Sequence, residues 1–413
     1  MIDYSTRRRF LRRSVECMAV AAASAPMAAS AAPREETPKP IIIGALFPTV
    51  GALAIADDES WRGVEMAYDI ICGRGGPTVR LIQAEASDVK SATTAVSKLR
   101  SQGAAVILGT MSSTISFAAT ESAELAGIPY IELDAPADGI TQRKFRTLLR
   151  IGPTSTDSAA AARDAVVKLL APAWRLEPAR LRVGVVFDVG ASSGAFAAAV
   201  LDLFKASQIP VVLSIAYAQG RADLDEPVQR MRRASLDLVI HAGEPDGTIL
   251  LSQAMALNRW RPRMLVGTGA GYTLTTVAAI IGRDFDRTMV IAPPNFARPG
   301  IKSASTTIAD AYRARFAASP RGPASLTAYV GAFLAINAIR SGDVLAGLRK
   351  QTLPFGALAN GFGVLFDSNG QNERSFVALQ QWQGGMLVPI EPNQPGTVSP
   401  IFDYGPMDGT QPA

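Results

Sequence analysis

Short apolar segments alternate with segments of helical periodicity along most of this chain, and no other feature of the sequence restricts the fold as much. Residues 41–47 read IIIGALF without a polar side chain, which is typical of a parallel strand buried on both faces. After Asp57, the apolar residues Val64, Tyr68 and Ile71 follow at helical spacing. The order of strand, helix and strand therefore predicts a parallel sheet that is covered by helices.

The alternation runs through two halves of similar size. Further strands are predicted at 79–84, 105–108 and 129–133, and then, after Pro153, at 183–187, 211–216, 238–241, 264–267 and 289–291. Helices at 303–318, 326–340 and near 343–349, and a Gly- and Phe-rich β region at 355–382, complete the pattern. We expect an α/β protein with two doubly wound parallel-sheet lobes.

The first 32 residues are predicted to be an export signal that is removed from the mature protein. Residues 6–12 read TRRRFLR, which matches the twin-arginine pattern. The Ala-rich stretch that follows is shorter than the roughly 20 residues that span a bilayer, and residues 29–31 read ASA, a cleavage signature. We therefore expect a periplasmic protein, and one that is soluble because no later apolar segment is long enough to span a membrane.

The charge balance changes when this leader is removed. The whole chain has 41 basic and 36 acidic residues and a net charge of +5; the leader holds five Arg against Asp3 and Glu16, or +3, which leaves about +2. So small an excess gives no reason to expect a nucleic-acid partner. With one His and two Cys, of which only Cys72 lies outside the leader, we expect no metal site and no disulfide framework. No phosphate-binding loop motif occurs, and we expect no cofactor.

One segment resembles the nucleophile elbow of a serine hydrolase. Residues 190–194 read GASSG, which fits G-x-S-x-G with Ser192 as the nucleophile, between a predicted strand and a predicted helix. The only available base is His241, which falls inside an apolar strand rather than in a loop. Ser192 is also several residues away from the end of its strand. A serine hydrolase using Ser192 is therefore an alternative, and a binding protein is the favoured interpretation.

Polar residues follow several predicted strands, at the edge where open α/β sheets bind their ligands. The hydroxyl groups after strand 105–108 precede a helix, so they and the free backbone N–H groups suit an anionic or carbonyl oxygen. The predicted ligand-binding residues are Ser112, Ser113, Thr114, Asp134, Ala135, Ser192, Glu244 and Tyr272. A simpler interpretation is that Ser113 or Thr114 caps its own helix and that Glu244 caps another.

At this point the order and spacing of several segments resemble a known family. Segments 42–51 (IIGALFPTVG), 62–67 (RGVEMA), 106–113 (VILGTMSS), 126–131 (AGIPYI), 145–147 (FRT), 328–329 (AY) and 366–370 (FDSNG) carry the resemblance. Together they are similar to type I periplasmic solute-binding proteins of the branched-chain amino acid ABC-transporter family, over residues 40–390. The resemblance implies two lobes joined by a three-stranded hinge, and a cleft that closes on a small solute. It also implies a monomer that docks on membrane permease subunits and is not an enzyme.

The resemblance also implies a division of the chain. Lobe 1 would comprise residues 40–152 and 297–352, and lobe 2 residues 153–296 and 353–392, with a loose tail at 393–413. A sensor module of the same fold, which docks on a signalling protein instead of a permease, is a further alternative.

Several positions depart from the family pattern. Ser113 matches the serine that holds a ligand carboxylate, but Gly269 stands where an acidic residue usually holds the ammonium group, and Ala56 replaces an aromatic residue. Asp134 and Glu244 are candidates for a relocated negative charge, although two buried carboxylates without a cation would be costly. We therefore expect a small amino-acid-like solute with a carboxylate or amide group, rather than an ordinary branched-chain amino acid.

Overall fold

The computed structural model describes residues 39–404, except 52, 74–77, 222, 340–341 and 392–394. The predicted leader at 1–32 and the last residues of the predicted tail lie outside the described residues. Within them, the first sheet and its helices are β1 (Ile41–Leu46), α1 (Ala54–Cys72), β2 (Val79–Ala84), α2 (Val89–Ser101), β3 (Ala104–Gly109), α3 (Ser113–Ala126), β4 (Tyr130–Glu132), α4 (Gly139–Gln142) and β5 (Leu148–Arg150).

The second half begins with α5 (Ser155–Asp164), which continues as a π-helix over Ala165–Leu170. There follow α6 (Ala171–Trp174), β6 (Val183–Asp188), α7 (Ala191–Ala206), β7 (Val211–Tyr217), α8 (Asp225–Arg233), β8 (Leu238–Ala242), α9 (Pro245–Leu257), β9 (Met264–Thr268), α10 (Ala270–Thr273), α11 (Thr275–Ile281) and β10 (Met289–Ala292). The last elements are α12 (Ala304–Phe316), α13 (Ala324–Ile339), α14 (Val344–Arg349), β11 (Ala378–Gln383) and β12 (Met386–Glu391), and short 3₁₀ helices occur at Pro178–Arg180 and Gly282–Phe285.

The strands form two sheets, and the predicted α/β fold with two lobes is confirmed. The first sheet has the order β2-β1-β3-β4-β5 and the second the order β12-β11-β10-β9-β8-β6-β7. All pairs of the first sheet are parallel, whereas β11 pairs antiparallel with both β10 and β12. Buried apolar side chains pack on both faces of the first sheet, which explains why β1 is apolar without alternation.

Helix α13 ties the end of the chain to the first sheet. Almost all of its residues are buried, as expected of a helix that is apolar around its whole circumference. It packs closely on α1 at Gly63, where a Cβ atom would lie only 2.2 Å from the carbonyl oxygen of Ser325. The chain therefore passes between the two cores three times: after β5, after β10 and before β11.

The region between α14 and β11 differs from the prediction in two respects. The predicted β region at 355–382 forms a regular strand only from Ala378; over its first part, 355–366, the described residues make only isolated bridges, at Leu353–Val364 and Phe366–Asn372. Phe362 and Val364 pack in the core of the first sheet, whereas the predicted boundary assigned 353–392 to the second lobe. Their apolar side chains belong to the core that also contains α13 and α14.

The tail is packed rather than loose over residues 395–404, so the prediction is wrong there. The indole N–H of Trp174 donates to the carbonyl oxygen of Phe402 at 2.7 Å, and Gln381 Nε2 donates to that of Ile401 at 2.7 Å. Tyr404 is buried, and its hydroxyl lies 2.7 Å from Thr288 Oγ1. These hydrogen bonds and the burial of Tyr404 attach the segment to the second lobe.

Candidate functional site

The N-termini of α3 and α7 meet between the two sheets. Ser192 Oγ donates a hydrogen bond to Ser113 Oγ at 2.9 Å, and the backbone N–H of Ser113 donates to Ser192 Oγ at 3.2 Å. Ser113 Oγ also accepts from the backbone N–H of Ala137 at 3.1 Å. The positive end of the helix dipole and unpaired N–H groups occur at a helix N-terminus. Two such ends therefore face one another across a cleft.

Apolar side chains make a second contact across this cleft. Ala56 of α1 packs in one small cluster with Ala270, Leu274 and Val277, which follow β9. Leu53 and Met111 pack against the same cluster from the side of the first sheet. The two lobes are thus in contact through both hydroxyl and apolar groups.

Two cavities lie beside these contacts and share Leu53, Ser192 and Glu244 as lining residues. The first, which we call the apolar cavity, has a volume of about 770 Å³ and is lined mainly by apolar groups, with Asp134, Thr268 and Gly269 among the others. The second, which we call the acidic cavity, has a volume of about 1020 Å³, and its lining includes Asp57, Asp88 and Gln219. Both volumes include space that is open to solvent.

Carboxyl groups dominate the electrostatics of both cavities. Burial, with a smaller contribution from the charge of Glu132, raises the pKa of Asp134 to about 8. Burial and then the charge of Asp188 raise the pKa of Glu244 to about 8. Burial also raises the pKa of Asp57 well above its ordinary value, and Glu244 is the largest of the charges that add to the effect. A raised pKa means that the neutral form of the carboxyl group is favoured.

The cleft contains no compensating cation among the residues that the structure describes. No Lys, Arg or His lines either cavity. Glu244 Oε2 and Asp57 Oδ2 are both buried and accept no hydrogen bond. Buried polar atoms without a partner are uncommon in folded proteins and often mark a functional position.

Most of the predicted site residues lie in this cleft. Ser112, Thr114, Asp134, Ser192 and Glu244 line one or both cavities, and Ser113 forms the contact between the helices. Ser112 also caps α3, where its Oγ accepts from the N–H of Ile115 at 3.5 Å. Glu244 is the residue before α9, but its side chain makes no capping hydrogen bond.

Two predicted residues lie elsewhere. Ala135 is fully buried in a core beside the first sheet, because its N–H donates to Glu132 Oε1 at 3.0 Å and turns the loop inward. Tyr272 is buried in the core of the second sheet, where its hydroxyl lies 2.5 Å from His241 Nδ1. Neither residue lines the apolar or the acidic cavity.

The hydrolase alternative is wrong. Both ring nitrogens of His241 are engaged, Nδ1 with Tyr272 and Nε2 with the hydroxyl of Tyr217 at 2.8 Å. Burial lowers the pKa of His241 to about 3. Ser192 donates instead to Ser113, so His241 is not paired with Ser192 and does not activate it as a nucleophile.

The sequence alone did not identify Asp57 as a residue of the cleft, and it did not explain why position 269 is a glycine instead of an acidic residue. Asp57 belongs to the first turn of α1. It follows Ala56, which stands where the family pattern has an aromatic residue. Gly269 has a φ of +98°, and a Cβ atom there would lie 2.8 Å from the carbonyl oxygen of Gly243. Because a side chain would be strained and would clash with the backbone, an acidic residue cannot take this position without rearrangement.

The described residues contain no group of His, Cys, Asp and Glu that could hold a metal ion. Nor does that part of the chain include a helix both long and apolar enough to cross a membrane.

Two α/β lobes with a polar cleft between them define the class of bilobal solute-binding proteins, and the comparison with known proteins agrees. The sequence profile of a family described as periplasmic binding protein matches residues 40–386. The chain therefore belongs to the periplasmic binding protein family. Its general role is solute binding in ABC transport, with permeases as partners, and it is not an enzyme. The family is extracytoplasmic.

Within this family the chain resembles proteins of the branched-chain amino acid type. It is 32% identical to the Leu/Ile/Val-binding protein homolog 8 of Brucella abortus over 84% of this chain and 90% of that protein. It is 31% identical to the Leu/Ile/Val-binding protein homolog 7 of Brucella suis, over 91% of this chain and 96% of that one.

Solved structures of low sequence identity share the fold. The branched-chain amino acid transporter substrate binding protein LivJ of Streptococcus pneumoniae, in complex with isoleucine, has a TM-score of 0.73 and 19% identity, covering 84% of this chain and 98% of its own. A solute binding protein of R. palustris, in complex with benzoate, has a TM-score of 0.73 and 19% identity, covering 89% and 100%.

Proposed function

We propose that this protein is the receptor of an ABC importer and captures a small amino-acid-like solute, with a carboxylate or amide group, between its two lobes. The observation that carries the proposal is the meeting of α3 and α7 at Ser113 and Ser192. Hydroxyl and backbone N–H groups at two helix N-termini suit a carboxylate or amide oxygen. The relatives are named for Leu, Ile and Val, and the structural neighbours hold isoleucine and benzoate, which all carry a carboxylate.

The mechanism that we propose is capture followed by closure. A solute that contacts both Ser113 and Ser192 binds the closed arrangement better than an open one, so it shifts the population toward closure. The closed protein then presents both lobes to the permease. We also propose that it acts as a monomer without a nucleic-acid partner, and that the twin-arginine leader directs its export to the periplasm.

A ligand screen with a matched pair of variants tests this proposal. Thermal-shift measurements should cover amino acids, aromatic acids, short carboxylates, amides and polyamines, because a ligand that binds only the folded state raises its stability. We expect a carboxylate- or amide-bearing compound to stabilise the protein, and Ser192→Ala to weaken its binding by about tenfold, as for a lost hydrogen bond. Ser97→Ala, on the exposed surface of α2, should leave the affinity unchanged.

Three results would contradict the proposal. Stabilisation by none of these compound classes would refute the amino-acid-like solute. Tight binding of leucine in isothermal titration would show that the site serves an ordinary branched-chain amino acid. Equal affinities of the Ser192→Ala and Ser97→Ala proteins would remove Ser192 from the binding site.

A further inference from the structure

Asp57 and Glu244 approach the acidic cavity from opposite lobes. Asp57 lies in the first turn of α1, on the first sheet's side, and is 1% exposed. Glu244 follows β8 of the second sheet. Both line this cavity, and each has one buried carboxyl oxygen that accepts no hydrogen bond. These two carboxyl groups therefore lack the partners that buried polar atoms usually have.

Several other acidic groups lie near this pair. The charges that act on Asp57 are those of Glu244, Glu85 and Glu132. Asp188 lies close to Glu244. Burial, and after it the charge of Asp188, also raises the pKa of the Tyr217 hydroxyl. Asp88 lines the same cavity, and among the residues that the structure describes no basic side chain does. This described lining thus supplies several carboxyl groups and no cation to neutralise them.

A contrast within α1 shows that the missing cation is specific to the cleft. Asp58 and Glu59, the next two residues, are both bonded to the guanidinium group of Arg321. Because successive residues of a helix point about 100° apart, Asp57 faces a different environment from its neighbours. The fold pairs the acidic groups on one side of the helix and leaves the group on the cleft side unpaired.

From this arrangement we infer that Asp57 and Glu244 form a subsite for a positively charged nitrogen of the solute, an ammonium or amidinium group. The inference rests on the proposed function, since it assigns one end of the solute bound in that same cleft. A cation between the two carboxylates is bound by both lobes at once, so its attraction stabilises closure. The solute's carboxylate or amide end faces Ser113 and Ser192, and its nitrogen faces the acidic cavity.

Matched probes on one carbon skeleton test the subsite. One set is pentan-1-amine, 5-aminopentanoate, pentanamide and pentanoate; the other is benzylamine, 4-(aminomethyl)benzoate, benzamide and benzoate. Dissociation constants should be measured by isothermal titration at pH 8.5, with thermal shift as the first screen. We expect the two members that carry both an ammonium and a carboxylate group to bind most tightly, at least tenfold better than the members without an ammonium group.

Variants show whether the two carboxylates cause this preference. Asp57→Asn and Glu244→Gln should each weaken binding of the ammonium probes at least tenfold, and change that of the neutral amides less than about threefold. Asp58→Asn, on the same helix but bonded to Arg62 and Arg321, is the matched control and should leave both affinities unchanged. Circular dichroism of each variant verifies that it is folded.

The outcomes separate this subsite from the function on which it rests. If the neutral amides or the nitrogen-free acids bind as tightly as the ammonium probes, the cation subsite is refuted while solute capture stands. The same holds if neither carboxyl variant reduces the affinity of the ammonium probes. If no probe and no compound of the wider screen stabilises the protein, both the subsite and the proposed function are refuted.

Discussion

Replacing Glu244 with Gln should make the ligand-free protein more stable above neutral pH. The substitution keeps the size of the side chain and removes a charge that has no cationic partner among the described residues of the cleft. It removes no helix cap, because the Glu244 side chain makes no capping hydrogen bond. A gain in stability from altering a cleft residue is expected where a binding site is held at the expense of the fold.

The magnitude follows from the pKa of Glu244, which burial raises from an ordinary 4.5 to about 8. Between these two values the folded protein holds a proton that the unfolded chain has lost, so stability falls as the pH rises through this window and is constant above it. A difference of about 3.5 pH units, at about 1.4 kcal/mol each, gives about 5 kcal/mol. This is an upper limit, since hydration of the cleft or opening of the lobes reduces the cost.

The assay is thermal unfolding of both proteins from pH 5 to pH 9 without ligand. For a chain of this size about 0.8 kcal/mol corresponds to 1 °C in Tm. We therefore expect the variant to exceed the parent by up to about 6 °C at pH 9, with a difference of about 1 °C or less at pH 5. Glu226→Gln is the control, because Glu226 is exposed and pairs with Arg230 on the surface of α8. A Tm difference that is independent of pH, or a variant less stable than its parent at pH 9, would refute the reasoning.

Two further predictions concern the strand edge and the tail. Gly269→Asp should lower Tm, because its Cβ meets the carbonyl oxygen of Gly243. For the same reason it should fail to restore binding of the ammonium probes in a Glu244→Gln background, and a recovery of affinity in titrations would contradict this. Tyr404→Phe should cost about 1–2 kcal/mol, since it removes the buried hydrogen bond to Thr288; an unchanged denaturation midpoint would show that residues 395–404 do not stabilise the second lobe.

The central strands could be predicted because their neighbours bury them on both faces. β1, β3, β8 and β9 are apolar runs between turns, and this signal does not depend on distant residues. β5 escaped notice because it has only three residues and ends in Arg150, a buried cation bonded to Gln371. The Gly384–Gly385 pair is a sequence signal for a hairpin loop and could have predicted β12. In the structure both glycines have positive φ and form the two-residue loop after β11.

The candidate site was partly predictable for a related reason. Ligands bind beyond the carboxyl ends of parallel strands, and this rule selected Ser112, Asp134 and Glu244, which line the cleft. The same rule does not tell which way a loop residue points, so it also selected Ala135 and Tyr272, which are buried in the cores. The direction in which a side chain points depends on contacts with residues far away in the sequence, and these contacts are seen only in the folded structure.

The difference between this cleft and the pattern that its sequence resembles can be traced to two adjacent strand ends. β8 and β9 are parallel neighbours, with Ala242 opposite Thr268. Gly269, just after β9, cannot carry an acidic side chain in this conformation, while Glu244, just after β8, carries one that faces both cavities. Neighbouring strands lie about 4.8 Å apart, so the negative charge stays at the same edge but moves by one strand. Asp57 faces this negative charge from α1. We therefore expect the solute of this protein to carry its nitrogen in a different place from a solute that fits the family pattern.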